Sequence, residues 1–339
     1  MKNNKPPRFY VEDVTVNSVA DMINFVHDHK NDFEIPNKKT ENLNKNFFRG
    51  ESEDFGNTSL FPKVFRSNEY KRYETDILLE LISIAPEVFS NKSTFEQLVL
   101  AQHYGAPTRL LDITSNPLIA LFFACENYSK KNSIEKDGFV FRFIVSEPFI
   151  FWSNSKEVSF LSNLAKLGSL YGKIGGDYKE HLQELIEKAR EYNEKNLIPD
   201  TGTDSEIEDR KKLIDYCSTS KIYNFLNENE FNAVNANVNL FNIENVICVR
   251  PQNIDPRITN QSAYFLLFGE NTDLNYFEPS IVRIQKIIIP AKRKKRILED
   301  LQVIGISPIN IYPDIYTKSK FMNKLFENKK DYFFEYGTK

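Results

Sequence analysis

The sequence predicts an α+β fold with a mixed or antiparallel sheet, and three observations carry this prediction. Ser93-Thr-Phe-Glu96 is a capping box, the pattern that opens a helix. Asn116 followed by Pro117 is typical of the start of a second helix, which is apolar on nearly every face. Residues 138–145 alternate aromatic and β-branched side chains, as a strand does.

The elements before the capping box are a helix, a strand and a second helix. Residues 16–30 have the pattern of a short amphipathic helix, and 31–45 are polar and predict a loop. A first strand is expected at 46–49. The apolar spacing over 69–89 predicts a helix that breaks near Pro86.

The central region holds two helices around a short extended segment. The helix that the capping box opens should end at Gly105, because glycine is favoured just past a helix end and Pro107 follows. Residues 108–112 are then extended or looped. The second helix, over 117–127, should be buried because it lacks a polar face.

The later part of the chain returns to strands after a helical stretch. Strands are predicted at 246–249, 264–268 and 284–289, a helix at 291–303 and an extended segment at 309–312. The expected organisation is an N-terminal helix and loop at 1–45, an α+β core at 46–152 and 241–325, a helical insertion at 153–240 and a C-terminal tail at 326–339.

Composition and charge limit the classes of function that the protein can have. A net charge of −3 gives no general attraction for nucleic acid or an anionic membrane. Cys125, Cys217 and Cys248 are widely spaced and lack the spacing of a zinc site. The N-terminus lacks the apolar stretch of a signal peptide, and no run of residues is long and apolar enough to span a membrane. These features predict a soluble cytoplasmic protein without a structural metal.

A cluster of polar residues between two apolar helices is the best candidate for a rigid site. Thr108-Arg109-Leu-Leu-Asp112-Ile-Thr114-Ser115 shows neither helical nor strand alternation, unlike an ordinary surface loop. Together with Phe47-Phe-Arg49-Gly50 upstream, the block from Gln102 to Asp112 resembles the FRG-domain family. The resemblance continues in Arg257-Ile-Thr-Asn-Gln261-Ser, in Lys286-Ile-Ile-Ile-Pro290 and in Tyr312-Pro-Asp314, so it covers about 40–325.

The order of these elements also resembles the ADP-ribosyltransferase fold. That resemblance implies that Arg49 on the first strand contacts a dinucleotide such as NAD, and that Thr114 and Ser115 hold its ribose side. The superfamily's catalytic Glu would correspond to Gln261, a neutral amide that can position a hydroxyl but cannot take a proton. If a carboxylate is needed, Asp112 is the best placed by sequence and Glu270 is a weaker choice.

Each candidate residue could contact a ligand or could serve only the scaffold, and the sequence leaves both interpretations open. Arg49 could bridge to a buried carboxylate, and Arg109 could form an ion pair with Asp112. Thr114 and Ser115 could act as helix caps. His103 could bond to backbone, although His103 and Tyr104 could equally stack on or donate to a ligand.

Two further features bear on partners. The run from Lys292 to Arg296 is five cations at a helix N-terminus, which could contact a phosphate-rich partner such as RNA or DNA but is also typical of a solvated face. A metal site from His103, Asp112 and Glu126 is disfavoured, because it needs a geometry that the sequence does not indicate.

The sequence therefore leaves three function hypotheses from different classes. The first is binding of NAD or a related nucleotide with ADP-ribose transfer or cleavage of the nicotinamide–ribose bond, and family resemblance implies a bacterial toxin or phage-defence effector. The second is a non-catalytic module that recognises a nucleotide or nucleic acid. The third is an interaction protein whose 153–240 segment docks a partner.

Overall fold

The computed structural model describes residues 10–29, 44–126, 136–169, 178–195, 220–226, 243–270 and 281–327. Within them the fold is α+β and is built on a mixed sheet of eight strands. The strands are β1 (Tyr10–Thr15), β2 (Asn44–Glu51), β3 (Leu110–Thr114), β4 (Gly138–Ser146), β5 (Ile150–Trp152), β6 (Val246–Arg250), β7 (Ala263–Phe268) and β8 (Ile281–Ile289). The prediction of an α+β fold with a mixed sheet is thus confirmed.

Helices cover the sheet and connect its strands. They are α1 (Val19–Asp28), α2 (Asn68–Arg72), α3 (Glu74–Ile84), α4 (Pro86–Phe89), α5 (Thr94–His103), α6 (Pro117–Cys125), α7 (Lys156–Asn163), α8 (Tyr178–Lys195), α9 (Lys221–Leu226), α10 (Pro256–Asn260), α11 (Ala291–Val303), α12 (Pro308–Ile311) and α13 (Ile315–Glu327). Within this described part, no helix combines the length and apolarity that crossing a membrane requires.

Local sequence signals account for the two helices around the candidate site. Ser93 and Glu96 form both hydrogen bonds of the predicted capping box at the start of α5. The Asn116 side chain accepts from the amide of Leu118 at 2.9 Å, and Pro117 occupies the first position of α6. Both helix starts are therefore confirmed.

Other sequence predictions were wrong in detail. The helix expected at 69–89 is three helices, α2 to α4, and the segment expected to be extended at 309–312 is largely the short helix α12. Strands β1 and β5 were not predicted. Both lie at the sheet's edges, and each is held by a single parallel neighbour rather than by a strong pattern of its own.

The sheet is divided into two halves. Its strand order is β1-β8-β4-β2-β3-β7-β6-β5. Strand β2 is paired with β4 along its whole length, but with β3 only where Phe48 lies opposite Thr114. Between these two described strands, backbone pairing therefore joins the four-stranded halves at this one position and is absent between 49–51 of β2 and 110–113 of β3; this unpaired stretch is the opening between the halves.

Three apolar clusters fill the space around these halves. The inner faces of both halves share one cluster, in which Phe47 of β2 and Tyr264 of β7 have ring centroids 4.6 Å apart. The outer face of the half that contains β2 packs against α1, α6 and α11. The outer face of the half that contains β3 packs against α5 and α7 to α9. The described residues of 153–240 are mainly helical and belong to this last layer; the boundaries predicted for that segment stay a prediction.

Candidate functional site

Arg49 spans the opening between the half-sheets. Its Nη1 donates to the backbone carbonyl of Asp112 at 2.8 Å, and its Nε donates to Oε1 of Glu51 at 3.2 Å. The Glu51 side chain is 1% exposed, whereas that of Arg49 is 18% exposed. Arg49 therefore does bridge to a buried carboxylate, and part of its side chain still reaches solvent.

Glu51 connects Arg49 to the loop that follows β2. Its Oε2 accepts from the Ser59 hydroxyl at 2.6 Å, and its Oε1 accepts from the amide of Leu60 at 3.4 Å. Because a buried carboxylate is costly without partners, these bonds fix both the arginine and the loop. Sequence reasoning missed Glu51, although its place two residues after Arg49 puts both on one face of the strand.

Asp112 is an exposed carboxylate at the same opening. The Gln102 amide donates to its Oδ2 at 2.6 Å, and the Thr108 hydroxyl donates to Oε1 of Gln102 at 2.8 Å. This chain of hydrogen bonds orients Asp112 while leaving it accessible.

Thr114, Ser115 and Gln261 meet where β3 ends and β7 begins. The buried Thr114 hydroxyl donates to the Gln261 carbonyl at 2.7 Å, and the Ser115 amide donates to the Ser262 carbonyl at 3.1 Å. Ser262 has φ +47°, an uncommon conformation for a residue other than glycine. The cap of α6 is Asn116, so Thr114 and Ser115 cross-link strands rather than cap the helix. The Gln261 side chain donates to the Ile311 carbonyl at 3.5 Å.

His103 and Arg257 link α5 to the later blocks of the sequence. Nδ1 of His103 lies 3.1 Å from Oδ2 of Asp255, an ion-pair distance at an angle that makes no hydrogen bond. Arg257 donates to the His103 carbonyl at 3.2 Å and lies 3.4 Å from Oδ2 of Asp314. Tyr104, beside His103, is 68% exposed. Neither the contact of Asp255 with His103 nor the ion pair of Asp314 with Arg257 was predicted, although Arg257 and Asp314 both belong to blocks of the family resemblance.

Glu126 and Tyr312 form a polar pair at the end of α6. The Tyr312 hydroxyl donates to both carboxylate oxygens of Glu126, at 2.8 and 2.9 Å. Burial raises the pKa of Glu126, and the Tyr312 hydrogen bond partly opposes this effect. Among the described residues, no group of three or more His, Cys, Asp or Glu side chains is arranged to hold a metal ion.

Arg109 lies beneath the site and does not pair with Asp112. It is fully buried, and its Nε and Nη2 donate to the two oxygens of Glu74 at 2.8 and 2.6 Å. Glu270 accepts from Nη2 at 3.3 Å and pairs with Lys71 at 2.8 Å. The ion pair with Asp112, one of the two interpretations that the sequence left open for Arg109, is therefore wrong, because Glu74 of α3 and Glu270 after β7 supply its partners from 35 and 161 positions away.

This buried network predicts loss of stability in acid. Burial raises the pKa of Glu270, but the charges and hydrogen bonds of Lys71 and Arg109 outweigh it and lower the pKa from 4.5 to about 2. Because folding stabilises the ionised Glu270 carboxylate, Glu270 adds to the free energy of unfolding above pH 4.5, and this contribution is lost as the pH falls toward 2. We expect about 2–3 kcal/mol to be lost over this range. Urea unfolding of wild type and Glu270→Gln from pH 6 to 2.5 measures this loss. If the free energy of unfolding fell equally with pH in both proteins, the prediction would be contradicted.

The basic run at the start of α11 is only partly exposed. Lys294 is buried and donates to the Ser52 carbonyl at 2.6 Å, so it belongs to the scaffold. Arg296 pairs with Asp300 at 3.1 Å on the exposed side of the helix. The contact between this run and a phosphate-rich partner stays a prediction.

Comparison with known proteins shows that the part of the chain containing both strands of the opening matches a protein family. Residues 44–133 match the family model of the FRG domain. Neither the curated proteins nor the solved structures contain a match to the chain. The match begins at β2 and includes Arg49, His103, Arg109, Asp112, Thr114 and Ser115, whereas Arg257, Gln261 and Asp314 lie beyond it. Over residues 44–133, this chain therefore contains an FRG domain.

Proposed function

We propose that the chain binds NAD or a related nucleotide at the opening between β2 and β3, and cleaves the nicotinamide–ribose bond or transfers ADP-ribose. The observation that carries the proposal is the strand order β2-β3-β7, which makes neighbours of Arg49, Thr114 with Ser115, and Gln261. These are the residues to which the ADP-ribosyltransferase resemblance gives roles. They come from three distant parts of the chain.

The chemistry requires positioning and charge more than a strong acid. When the glycosidic carbon–nitrogen bond breaks, nicotinamide leaves with the electron pair and the ribose becomes cationic, as in an oxocarbenium ion. Arg49 would hold the pyrophosphate, since its forked donors suit phosphate oxygens. Asp112 would accept the proton of the attacking hydroxyl, from water or an acceptor, and Gln261 would position a ribose hydroxyl.

The proposal extends to the fold comparison and the biological setting. A sheet divided into two halves, with a ligand in the opening between them, fits the resemblance to the ADP-ribosyltransferase fold. The same resemblance supports a role as a bacterial toxin or phage-defence effector, for which NAD consumption is a suitable reaction.

A second candidate is a non-catalytic module that recognises a nucleotide or nucleic acid. The observation that favours it is Gln261, whose amide cannot act as a base and which already donates to the Ile311 carbonyl. In this case the opening would bind its ligand with no turnover.

Nicotinamide release from NAD by the purified protein separates these candidates. We expect Arg49→Ala to abolish binding under both, and Asp112→Asn to lower turnover at least 10²-fold with unchanged affinity only if the protein is an enzyme. Asparagine can still accept from Gln102, so the fold should survive. Arg72→Ala and Asp76→Asn, at exposed positions of α2 and α3, are matched controls.

The outcomes are distinct. Turnover that Asp112→Asn leaves unchanged would remove Asp112 from the mechanism. Binding without turnover in the wild type would favour the recognition module. An Arg49→Ala variant that binds NAD as tightly as wild type would contradict both candidates.

A further inference from the structure

A short basic segment lies over the same opening and has no role in the proposal so far. It is the 3₁₀ turn Lys63–Arg66, which follows the loop that Glu51 fixes. The Lys63 ammonium donates to the Gly105 carbonyl at 2.7 Å, and the Val64 amide donates to the Thr108 carbonyl at 3.3 Å. The turn is thus attached to the segment between α5 and β3 that carries Tyr104 and leads to Asp112.

The conformation of the loop holds the turn in this place. Leu60 is 1% exposed and has φ +62°, a region that residues other than glycine rarely adopt. Its amide and the Ser59 hydroxyl are fixed by Glu51, the residue that also accepts from Arg49. Strained backbone of this kind persists only where surrounding contacts enforce it, and it is concentrated at ligand sites. One buried carboxylate therefore positions both Arg49 and the basic turn.

The charges at this place are predominantly positive. Although Arg66 is an exposed residue, partial burial lowers its pKa, the charge of Arg49 lowers the pKa further, and Glu51 opposes both. The charge of Arg49 thus acts on Arg66, and Arg66 ends the turn that follows the loop held by Glu51, the residue that also binds Arg49. Glu51 is almost fully buried and already accepts three hydrogen bonds, so its carboxylate faces these donors and not the solvent side of the opening.

Both cations of the turn keep donors for a ligand. Lys63 and Arg66 are exposed residues. Among the hydrogen bonds of the described residues, Arg66 uses its Nε for the Phe61 carbonyl at 2.9 Å, and Lys63 uses one contact for Gly105. A guanidinium with two remaining NH₂ groups and an ammonium with further protons suit the oxygens of a phosphate group.

We infer that Lys63 and Arg66 complete, with Arg49, a site for the pyrophosphate of a nucleotide. This inference rests on the proposed function, because it names the part of the substrate that this side of the opening recognises. A pyrophosphate would offset the repulsion between Arg49 and Arg66, and Asp112 and Tyr104 would remain beside it for the ribose and a ring. The inference extends the site by two residues that neither the motifs nor the family resemblance indicates.

Binding of inorganic pyrophosphate, ADP-ribose and nicotinamide riboside, measured by calorimetry, tests the inference. We expect pyrophosphate and ADP-ribose to bind the wild type, and Lys63→Gln and Arg66→Gln each to weaken both by about 5- to 50-fold. Nicotinamide riboside has no phosphate, so the same substitutions should leave its affinity unchanged. Lys92→Gln is the matched control, because Lys92 precedes α5 at the end opposite to Tyr104, about 15 Å away at 1.5 Å per helical residue.

The possible results separate this inference from the proposed function. If the wild type binds ADP-ribose but Lys63→Gln and Arg66→Gln bind it equally well, the inference is overturned and the proposed function stands. If pyrophosphate binds and depends on both residues while NAD is never turned over, the inference stands and the recognition module is favoured. If neither pyrophosphate nor ADP-ribose binds, the inference is wrong. Melting temperatures of all variants exclude unfolding as the cause of any loss.

Discussion

Arg109→Met is expected to lower the free energy of unfolding by about 3–5 kcal/mol. The substitution keeps an unbranched apolar stem but removes the guanidinium, so the buried Glu74 loses the cation that pairs with it. It also removes the two hydrogen bonds that Nη1 of Arg109 donates to the backbone carbonyls of Phe268 and Gly269, at 3.2 and 3.4 Å. Removing one partner of a buried ion-pair network lowers the free energy of unfolding by more than the intact network contributes to it. The reason is that the remaining charge is still shielded from water but no longer has a partner.

Urea unfolding at pH 7 measures this effect, with Arg72→Met as the matched control. Arg72 is exposed on α2, so its replacement should change stability by less than about 0.5 kcal/mol. The double variant Arg109→Met with Glu74→Met should recover part of the loss, because an apolar pair can replace a buried ion pair. A cost below about 1 kcal/mol for Arg109→Met alone would show that the network is not needed for folding.

Gly50→Ala is expected to be as damaging, although it adds a single methyl group. A Cβ atom on Gly50 would lie 2.0 Å from the Ala120 carbonyl oxygen and 2.7 Å from the Ala124 amide nitrogen. Both atoms belong to the backbone of α6, so no side-chain rotation relieves the clash and the helix must move away from β2. We expect a loss of about 3 kcal/mol or more, at the upper end for an overpacked core. The glycine beside Arg49 is thus explained by the close approach of α6 to the strand.

The control for this prediction is Gly305→Ala. Gly305 has φ +84° and open space around it, so alanine there should cost only about 1–2 kcal/mol of backbone strain. Thermal unfolding followed by far-UV circular dichroism compares the two variants. If Gly50→Ala were no worse than Gly305→Ala, helix α6 would have to be free to shift, and its packing would not fix the position of β2.

The sequence by itself determined the elements whose signals are local. The capping box, the Asn116-Pro117 start and the alternation over 138–145 each depend on residues a few positions apart, and the structure places α5, α6 and β4 there. The same signals failed at β1 and β5, since an edge strand in parallel pairing depends on its neighbour more than on its own pattern. The FRG motif was also recognisable from its residues alone.

Only the tertiary structure decided which of those residues share a partner. The three-residue spacing suggested that Arg109 pairs with Asp112. Side chains alternate between the two faces of an extended segment, so residues three positions apart point to opposite faces. The buried guanidinium of Arg109 instead pairs with Glu74 and Glu270, which are distant in sequence. The role of Glu51 depends equally on a loop that returns to it. Ion pairs and hydrogen bonds form between groups that folding brings within about 3 Å, and this proximity is a property of the whole packed chain that local spacing does not encode.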